Sequence, residues 1–488
     1  MTPEPLHREY DVVVIGAGAA GENVADRVVR GGLTAVLVEA ELVGGECSYW
    51  ACMPSKALLR PGTALHSAQT MPGAKEAVTG TLHAAAVFDN RDRFTSNWED
   101  GSQVQWVEDA GIDLIRGHAW LTAPKSVEVA GTDGTSHLLT ARHAVVLATG
   151  SMPNTPPIKG LDDVEVWGTR EATSAKEIPE RLAVLGGGVA GTELAQAFAR
   201  MGSAVTLVAR GRLLGSFPEE AAELVAAGLR ADGVDIRTGT ATHSITMDDD
   251  GALSLEVDDG SGGRTTVVAD KVLVSTGRHP ALQGLGLEKL GFPPDHQGNL
   301  TLSTDTTGLV EGAPGEGSWL YAVGDAAGKH LFTHQGKYEA RATGDAIAAR
   351  AKGELDGTPA AWSRYAQTAN DHAVPNVVFT DPEIAAVGRN LKQAQDDGFK
   401  ASTVELPIEV AGSSLHAENY HGWAQLVIDE DRKVLLGATF TGPDVAELLH
   451  AATIAVVGEV PLDRLWHAVP SYPTISEVWL RLLEKYGL

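Results

Sequence analysis

Two segments of the sequence repeat one pattern: an apolar run, a glycine turn, an amphipathic stretch and a second apolar run. The first reads DVVVIG, AGAAGENVADRVVRGG, LTAVLVEA, with Gly16, Gly18 and Gly21 in G-x-G-x-x-G spacing and Glu39 closing the second run. The other occupies residues 182–210, LAVLGGGVAGTELAQAFARMGSAVTLVAR, with Gly186, Gly188 and Gly191 in the same places. Each predicts a strand–turn–helix–strand unit. Its glycines allow a tight turn and the close approach of a pyrophosphate to a helix N-terminus, and the distant acid meets a ribose hydroxyl. A lone G-x-G-x-x-G says little; between two buried strands it marks a dinucleotide site. The duplication sets the expected fold class: α/β, with two Rossmann-like dinucleotide-binding domains.

The two second strands end differently. Ala209 stands where an acid is expected, and Arg210 and Arg212 follow. Loss of the acid and gain of basic groups favour a 2′-phosphate, so NADPH is expected at the second unit, with NADH a lesser possibility. The plain alternative is a pair of solvated arginines. Different strand ends imply two different dinucleotides in one chain.

Composition narrows the partners. With 488 residues, 43% hydrophobic and 21% charged, the chain has ample core for about three domains. A net charge of −26 argues against nucleic acid and anionic membrane surfaces. No uncharged apolar run reaches the length of a membrane span, and MTPEPLHREYD has neither a basic nor an apolar leader region. The expectation is a cytoplasmic protein with no membrane and no nucleic-acid partner.

The chain contains only two cysteines, Cys47 and Cys52, in GGECSYWACMPSK. Two cysteines cannot form a disulfide framework for this length, and no other cysteine completes a zinc site, so no metal is expected. Two unrelated buried thiols or a reversible redox pair remain. On a regular helix, residues five apart have Cα atoms roughly 8–9 Å apart. A disulfide needs about 4.4–6.8 Å, so a bridge requires a break in the helix across CSYWAC. Pro54 predicts a helix start near Cys52, where the positive helix end favours a thiolate.

Between the two fingerprints, residues 117–150 read as a β-meander, and the Pro-rich SMPNTPPIKG reads as a connection. Residues 245–265 read as a polar hairpin. The strand in GSWLYAVGDAAG places Asp325 at its end, suited to hydrogen-bonding cofactor hydroxyls. From about residue 370 the pattern becomes strands and then amphipathic helices, an α+β module without a nucleotide fingerprint.

Taken together, these motifs resemble the FAD-dependent pyridine nucleotide–disulfide oxidoreductases, the family of dihydrolipoamide dehydrogenase, glutathione reductase and mercuric reductase. The resemblance rests on GAGAAG with Glu39, CxxxxC-x-P-S-K, ATG at 148–150, GGGVAGTELA, STGR at 275–278, YAVGDAAG, FTDPEIAAVG at 379–388 and PTISE at 473–477. It implies an FAD domain in two parts (1–155 and 281–365), an inserted NAD(P)H domain (156–280) and a C-terminal dimerisation domain (366–488), in a homodimer. It implies that Cys52 lies against the flavin as the charge-transfer thiol and that Cys47 is the outer, interchange thiol. Lys56 would approach the flavin and pair with Glu193. For FAD it implies Gly16, Gly18, Gly21, Glu39, Lys56, Ala119, Thr149, Gly150, Asp325 and Thr333. For NADP it implies Gly186, Gly188, Gly191, Arg210, Arg212 and Gly277.

One departure bears on function. The family's disulfide reductases carry a histidine before PTxSE; here Tyr472 stands there, with Glu477 retained. A phenol of ordinary pKa, about 10, is a poor base at neutral pH, three units corresponding to roughly 4 kcal/mol. His467, five residues upstream, is a second candidate for handling that proton, although a lone histidine is more often a packing or surface residue. Tyrosine here is similar to mercuric reductases and soluble transhydrogenases, but the chain lacks the former's C-terminal cysteine pair and has the second cysteine that the latter usually lack. Tyr49 and Trp50 either line an acceptor pocket or pack under the loop. Three readings result: an NADPH-dependent reductase of a small disulfide or thiol-reactive acceptor; a flavin-centred reductase of quinones, metal ions or a second nicotinamide; and a non-catalytic flavoprotein dimer. Ala209 and Arg210 point away from NAD, and so from lipoamide.

Overall fold

The computed structural model describes residues 6–296 and 298–488, so the first five residues of the N-terminal stretch lie outside it. The chain divides into two compact units: Met1–Met53 with Asp92–Pro153 and Arg278–Asn370, and Pro54–Arg91 with Asn154–Gly277 and Asp371–Leu488. Five helices carry the discussion below: α1 (Ala19–Arg30), α2 (Gly45–Tyr49), α3 (Cys52–Thr70), α4 (Val189–Met201) and α5 (Thr333–Ala351).

In the first unit the strand Leu6–Ile15 lies between Ala35–Glu39 and Ser136–Leu147, parallel to both. Asp113–Ala123 extends the sheet beside Ala35–Glu39, and Leu320–Ala322 extends it beside Ser136–Leu147. Val12, Val13 and Val14 are wholly buried, as expected of a parallel strand covered on both faces. This explains why DVVVIG reads as an unbroken apolar run and not as an alternation. The strands Asp113–Ala123, Ser126–Gly131 and Ser136–Leu147 also form the antiparallel meander foreseen from the sequence.

The second unit has a four-stranded parallel sheet in the order Lys271–Val274, Arg181–Leu185, Ala204–Val208, Asp235–Arg237. The segment read as a hairpin is instead a three-stranded antiparallel sheet, Thr242–Met247, Leu253–Asp258 and Arg264–Ala269. Leu253, Leu255 and Val257 alternate into the core, and the β-branched run TTVV beyond the glycine turn supplies the third strand. The Pro-rich connection holds a short strand of its own, Ser151–Pro153, paired antiparallel with Arg278–Pro280 in the first unit.

Residues beyond 371 build a five-stranded antiparallel sheet, ordered Pro375–Val378, Glu383–Gly388, Val434–Gly442, Trp423–Asp429, Ala401–Pro407. The helices Leu449–Val457 and Val478–Tyr486 cover it, burying Ala452, Val478 and Leu482.

Candidate functional site

The two glycine turns are built alike. Gly16 (φ +99°) and Gly186 (φ +124°) occupy left-handed backbone, where an added Cβ would lie 2.4 Å from Ala148 O and 2.2 Å from Ser275 O. Gly21 and Gly191 face back onto those turns; a Cβ there would lie 1.9 Å from Gly16 O and 2.4 Å from Gly186 O. The middle glycines behave otherwise. An added Cβ at Gly18 would find Gly45 Cα at 3.9 Å, and at Gly188 nothing lies within 4 Å. Packing therefore demands the outer glycines and leaves the middle ones beside open space. Gly18 and Gly188 are also the N-caps of α1 and α4, in extended backbone and without a side-chain cap. Uncapped helix starts beside open space fit the pyrophosphates of two dinucleotides.

Glu39 ends its strand with Oε2 accepting from Ala17 N at 2.7 Å and Oε1 from Glu41 N at 2.8 Å. Each oxygen keeps accepting capacity for a ribose hydroxyl. Burial, opposed by these two hydrogen bonds, leaves the carboxyl above its ordinary range. Asp325 Oδ2 accepts from Ser151 Oγ at 2.5 Å, and burial pushes this carboxyl up too. Ser151 is held in turn by Arg278, whose Nε and Nη2 donate to its Oγ (2.8 Å) and O (2.6 Å). Behind this turn, fully buried Glu339 accepts from Gly324 N and Asn370 Nδ2, both at 2.8 Å. Sequence reasoning named Asp325 but missed Ser151, Arg278, Glu339 and Asn370. A glutamate and an asparagine far apart in sequence give no signal that they brace one turn. Thr149 Oγ1 donates to Ala281 O at 2.7 Å, Gly150 follows it, and Ala119 pairs with Val129 in the meander.

The two sulfurs are carried by two helices and not one. Helix α2 ends at Trp50 (φ −135°) and α3 starts at Cys52, so the helical spacing that would prevent a bridge is broken between them. Both cysteines are thiols in this structure. Cys52 Sγ lies 3.2 Å from Thr333 Oγ1, the first residue of α5. Thr333, expected at the flavin, is thus in contact with the inner sulfur. The Cys47 thiol is pushed up, first by its hydrogen bond with Cys52 and then by burial; Thr333 and Lys337 act in the opposite direction. Tyr49 is buried, with its ring edge-on to Trp50 at 5.7 Å and its carbonyl accepting from Trp98 Nε1 at 3.1 Å. That is packing beneath the loop, not a pocket lining.

In the second unit Lys56 Nζ lies 2.7 Å from Glu193 Oε2, and the Glu193 side chain is 3% exposed. Glu193 Oε1 accepts from Phe379 N at 2.9 Å, and Lys56 Nζ stands 4.8 Å from the centre of the Phe379 ring. Arg210 is exposed and makes no ion pair among the described residues, whereas Arg212 Nη2 donates to Gly215 O and Phe217 O, tying down its own loop. Gly277 leaves room for Asn154, whose Nδ2 would lie 3.0 Å from an added Cβ. Tyr472 is 77% exposed. His467 is also exposed, just past the helix Leu462–Leu465. Glu477 Oε1 accepts from Arg481 Nη2 at 2.7 Å, and its buried Oε2 has no partner among the described residues. Among the described residues no group of three or more His, Cys, Asp or Glu is placed to hold a metal ion. No helix among them is long and apolar enough to cross a membrane.

A parallel-sheet fold with two dinucleotide turns and a pair of neighbouring thiols defines a nucleotide-dependent oxidoreductase, and comparison with known proteins makes the class specific. Residues 10–353 match the pyridine nucleotide-disulphide oxidoreductases, and residues 374–482 match the dimerisation domain of the same group. The chain belongs to the pyridine nucleotide-disulphide oxidoreductase family, flavin-dependent enzymes that use FAD and NAD(P)H. It is 33% identical to the dihydrolipoyl dehydrogenase of Thermus scotoductus, over 96% of each chain. It is 29% identical to a mercuric reductase of Staphylococcus aureus, over 96% of this chain and 81% of that one. Among solved structures, the flavoprotein disulfide reductase RclA of Escherichia coli superposes with a TM-score of 0.81 at 22% identity, over 98% of this chain and 99% of that one.

Proposed function

We propose that the protein passes electrons from NADPH through FAD to the Cys47–Cys52 pair and on to a small disulfide or thiol-reactive acceptor. The supporting observation is the pair itself: Cys52 at the start of α3, 3.2 Å from the Thr333 hydroxyl, and Cys47 on α2, whose thiol Cys52 pushes up. When bound, FAD takes a hydride equivalent from the nicotinamide and supplies an electron pair to a group beside its ring. Two electrons and one proton convert the disulfide to the Cys52 thiolate and the Cys47 thiol. The start of α3 and the Thr333 hydroxyl favour charge on Cys52, while the raised Cys47 holds the proton. Cys47, once deprotonated, attacks an acceptor disulfide and expels one thiolate; Cys52 then attacks the Cys47 sulfur of the mixed disulfide and expels the other. Gly16, Gly18, Gly21, Glu39, Thr149, Gly150 and Asp325 would hold FAD. Gly186, Gly188, Gly191 and Arg210 would hold NADPH, with Arg212 shaping the loop.

A homodimer and a cytoplasmic location belong to this reading. Trp466, Val469 and Tyr472 form an exposed stretch of the C-terminal module, with Val469 86% exposed, which suits a surface that a second copy covers. Tyr472 in place of histidine also favours a second reading, in which the flavin itself reduces quinones, metal ions or a second nicotinamide and the dithiol is accessory.

Anaerobic NADPH titration of the FAD-loaded protein, alongside Cys47→Ser and Cys52→Ser, separates the two. The first reading expects two-electron uptake with a long-wavelength band that requires Cys52, and two newly alkylatable thiols. Bleaching of the flavin with no such band in any of the three proteins rejects it in favour of the second.

A further inference from the structure

Four helix ends of the first unit converge beside the two sulfurs. Gly44 N donates to Ala17 O at 2.8 Å, and Gly18 and Gly44 form a parallel bridge, so α2 with Cys47 is fastened to the turn that starts α1. Glu22 lies one turn into α1, its N–H donating to Gly18 O at 3.1 Å. Thr333 and Lys337 are four residues apart on one face of α5, and Thr333 touches Cys52, so that face looks toward the dithiol.

Two charged side chains here are left over. Glu22 Oε1 is buried and has no hydrogen-bond partner among the described residues. Lys337 is half-buried and makes neither a hydrogen bond nor an ion pair among them. An ammonium and a carboxylate in electrostatic reach of each other ordinarily close into a pair when both lose water. These two do not, and the same Lys337 favours the charged form of both Glu22 and Cys47.

We propose that Lys337 is the cationic positioning residue of the dithiol, stabilising the Cys47 thiolate, and that Glu22 is its counter-charge, which tempers that stabilisation. The proposal rests on the assignment of Cys47 as the attacking thiol. With tyrosine in the histidine position, a fixed cation on α5 opposes part of what Cys52 and burial do to raise the Cys47 thiol. The other groups acting on this cluster are Glu39 from the strand Ala35–Glu39, Tyr49 from α2 and Cys52 from α3, with Asp100 and Arg116 acting on Tyr49. Glu39 is tied to the Ala17 and Glu41 N–H groups. Tyr49 is pushed up to about 12, chiefly by burial, and stays neutral. Glu22 is pushed up to about 7, again chiefly by burial, so its carboxylate is present over the range in which a thiol titrates.

The test uses the FAD-loaded protein carrying Cys52→Ser, in which Cys47 is the sole cysteine of the chain. The rate of iodoacetamide alkylation is followed against pH. Lys337→Met is expected to raise the apparent pKa of Cys47 and Glu22→Gln to lower it. Each shift should be about half a unit or more, roughly threefold in rate below the midpoint. Lys337→Arg should leave the profile in place. A structural disturbance would move the first two variants the same way; shifts in one direction, or none in either, overturn the proposal. Should Lys337→Met fail to retain FAD, Glu22→Gln decides alone by the sign of its shift. Neither NADPH nor an acceptor enters the measurement, so failure of the electron path proposed above would be seen separately.

Discussion

The two kinds of glycine in the first fingerprint make opposite demands, and substituting each by alanine tests them against one another. In Gly21→Ala the new methyl would sit 1.9 Å from Gly16 O and 3.4 Å from the Ala148 Cβ. Carbon–oxygen contacts settle more than 1 Å farther out, and the obstacle is backbone, so α1 and the strand Leu6–Ile15 must separate. Overpacking of this kind destabilises by about 1–3 kcal/mol, and a rigid backbone contact puts the expectation near 3 kcal/mol. Gly18→Ala meets only Gly45 Cα at 3.9 Å and has an ordinary φ of −74°. At an N-cap without a side-chain bond its cost should stay within about 1 kcal/mol. Its methyl instead occupies the open space assigned to the pyrophosphate, so FAD affinity should fall at least about tenfold, or about 1.4 kcal/mol. Urea unfolding at several FAD concentrations separates the two effects, because ligand stabilisation grows with the logarithm of ligand concentration. Gly21→Ala should lower the whole series; Gly18→Ala should converge on wild type as FAD is withdrawn. A Gly18→Ala protein with wild-type FAD affinity would refute the assignment of that space to the cofactor.

Three further outcomes are expected. Lys56→Met strands a carboxylate whose side chain is 3% exposed, and should lower stability by about 2–4 kcal/mol, while adding Glu193→Leu should restore much of it; a double variant no more stable than the single one in urea unfolding would contradict this. Burial raises Glu383 to about 7, so the folded state binds more protons than the unfolded state between the ordinary glutamate range and pH 7, and the group's contribution to stability is lost as pH rises through that window. Glu383→Gln keeps an acceptor for the Ala446 N–H, 2.8 Å away, and should gain on wild type by about 1–3 kcal/mol between pH 5 and 7.5; an equal difference at both pH values would reject the coupling. Val469→Asp places a charge on an 86% exposed apolar position and should shift the protein toward monomer in sedimentation velocity, whereas an unchanged dimer would remove that stretch from the interface.

Much of the first unit was legible because its signals are local. A glycine turn between two apolar runs can be read within thirty residues, and Pro54 marks the start of α3 within two residues of Cys52. The break at Trp50 followed from the geometry that a bridge would require. The third strand Arg264–Ala269 was not read, because a polar, half-exposed strand is written as weak alternation and a glycine turn. The brace of Ser151 and Arg278 beside Asp325 was invisible for another reason: hydrogen bonds between residues more than a hundred positions apart leave no spacing to read.

By itself, the sequence determined the α/β class, the doubled dinucleotide turns and the two cysteines at a helix start, since each follows from backbone sterics and side-chain type within one short segment. Only the tertiary structure decided which other side chains meet: Thr333 on Cys52, Arg212 on its own loop, and Glu22 and Lys337 left unpaired beside the dithiol. Those outcomes depend on how distant elements pack, and packing is decided by the sum of many small burial terms that no single segment carries.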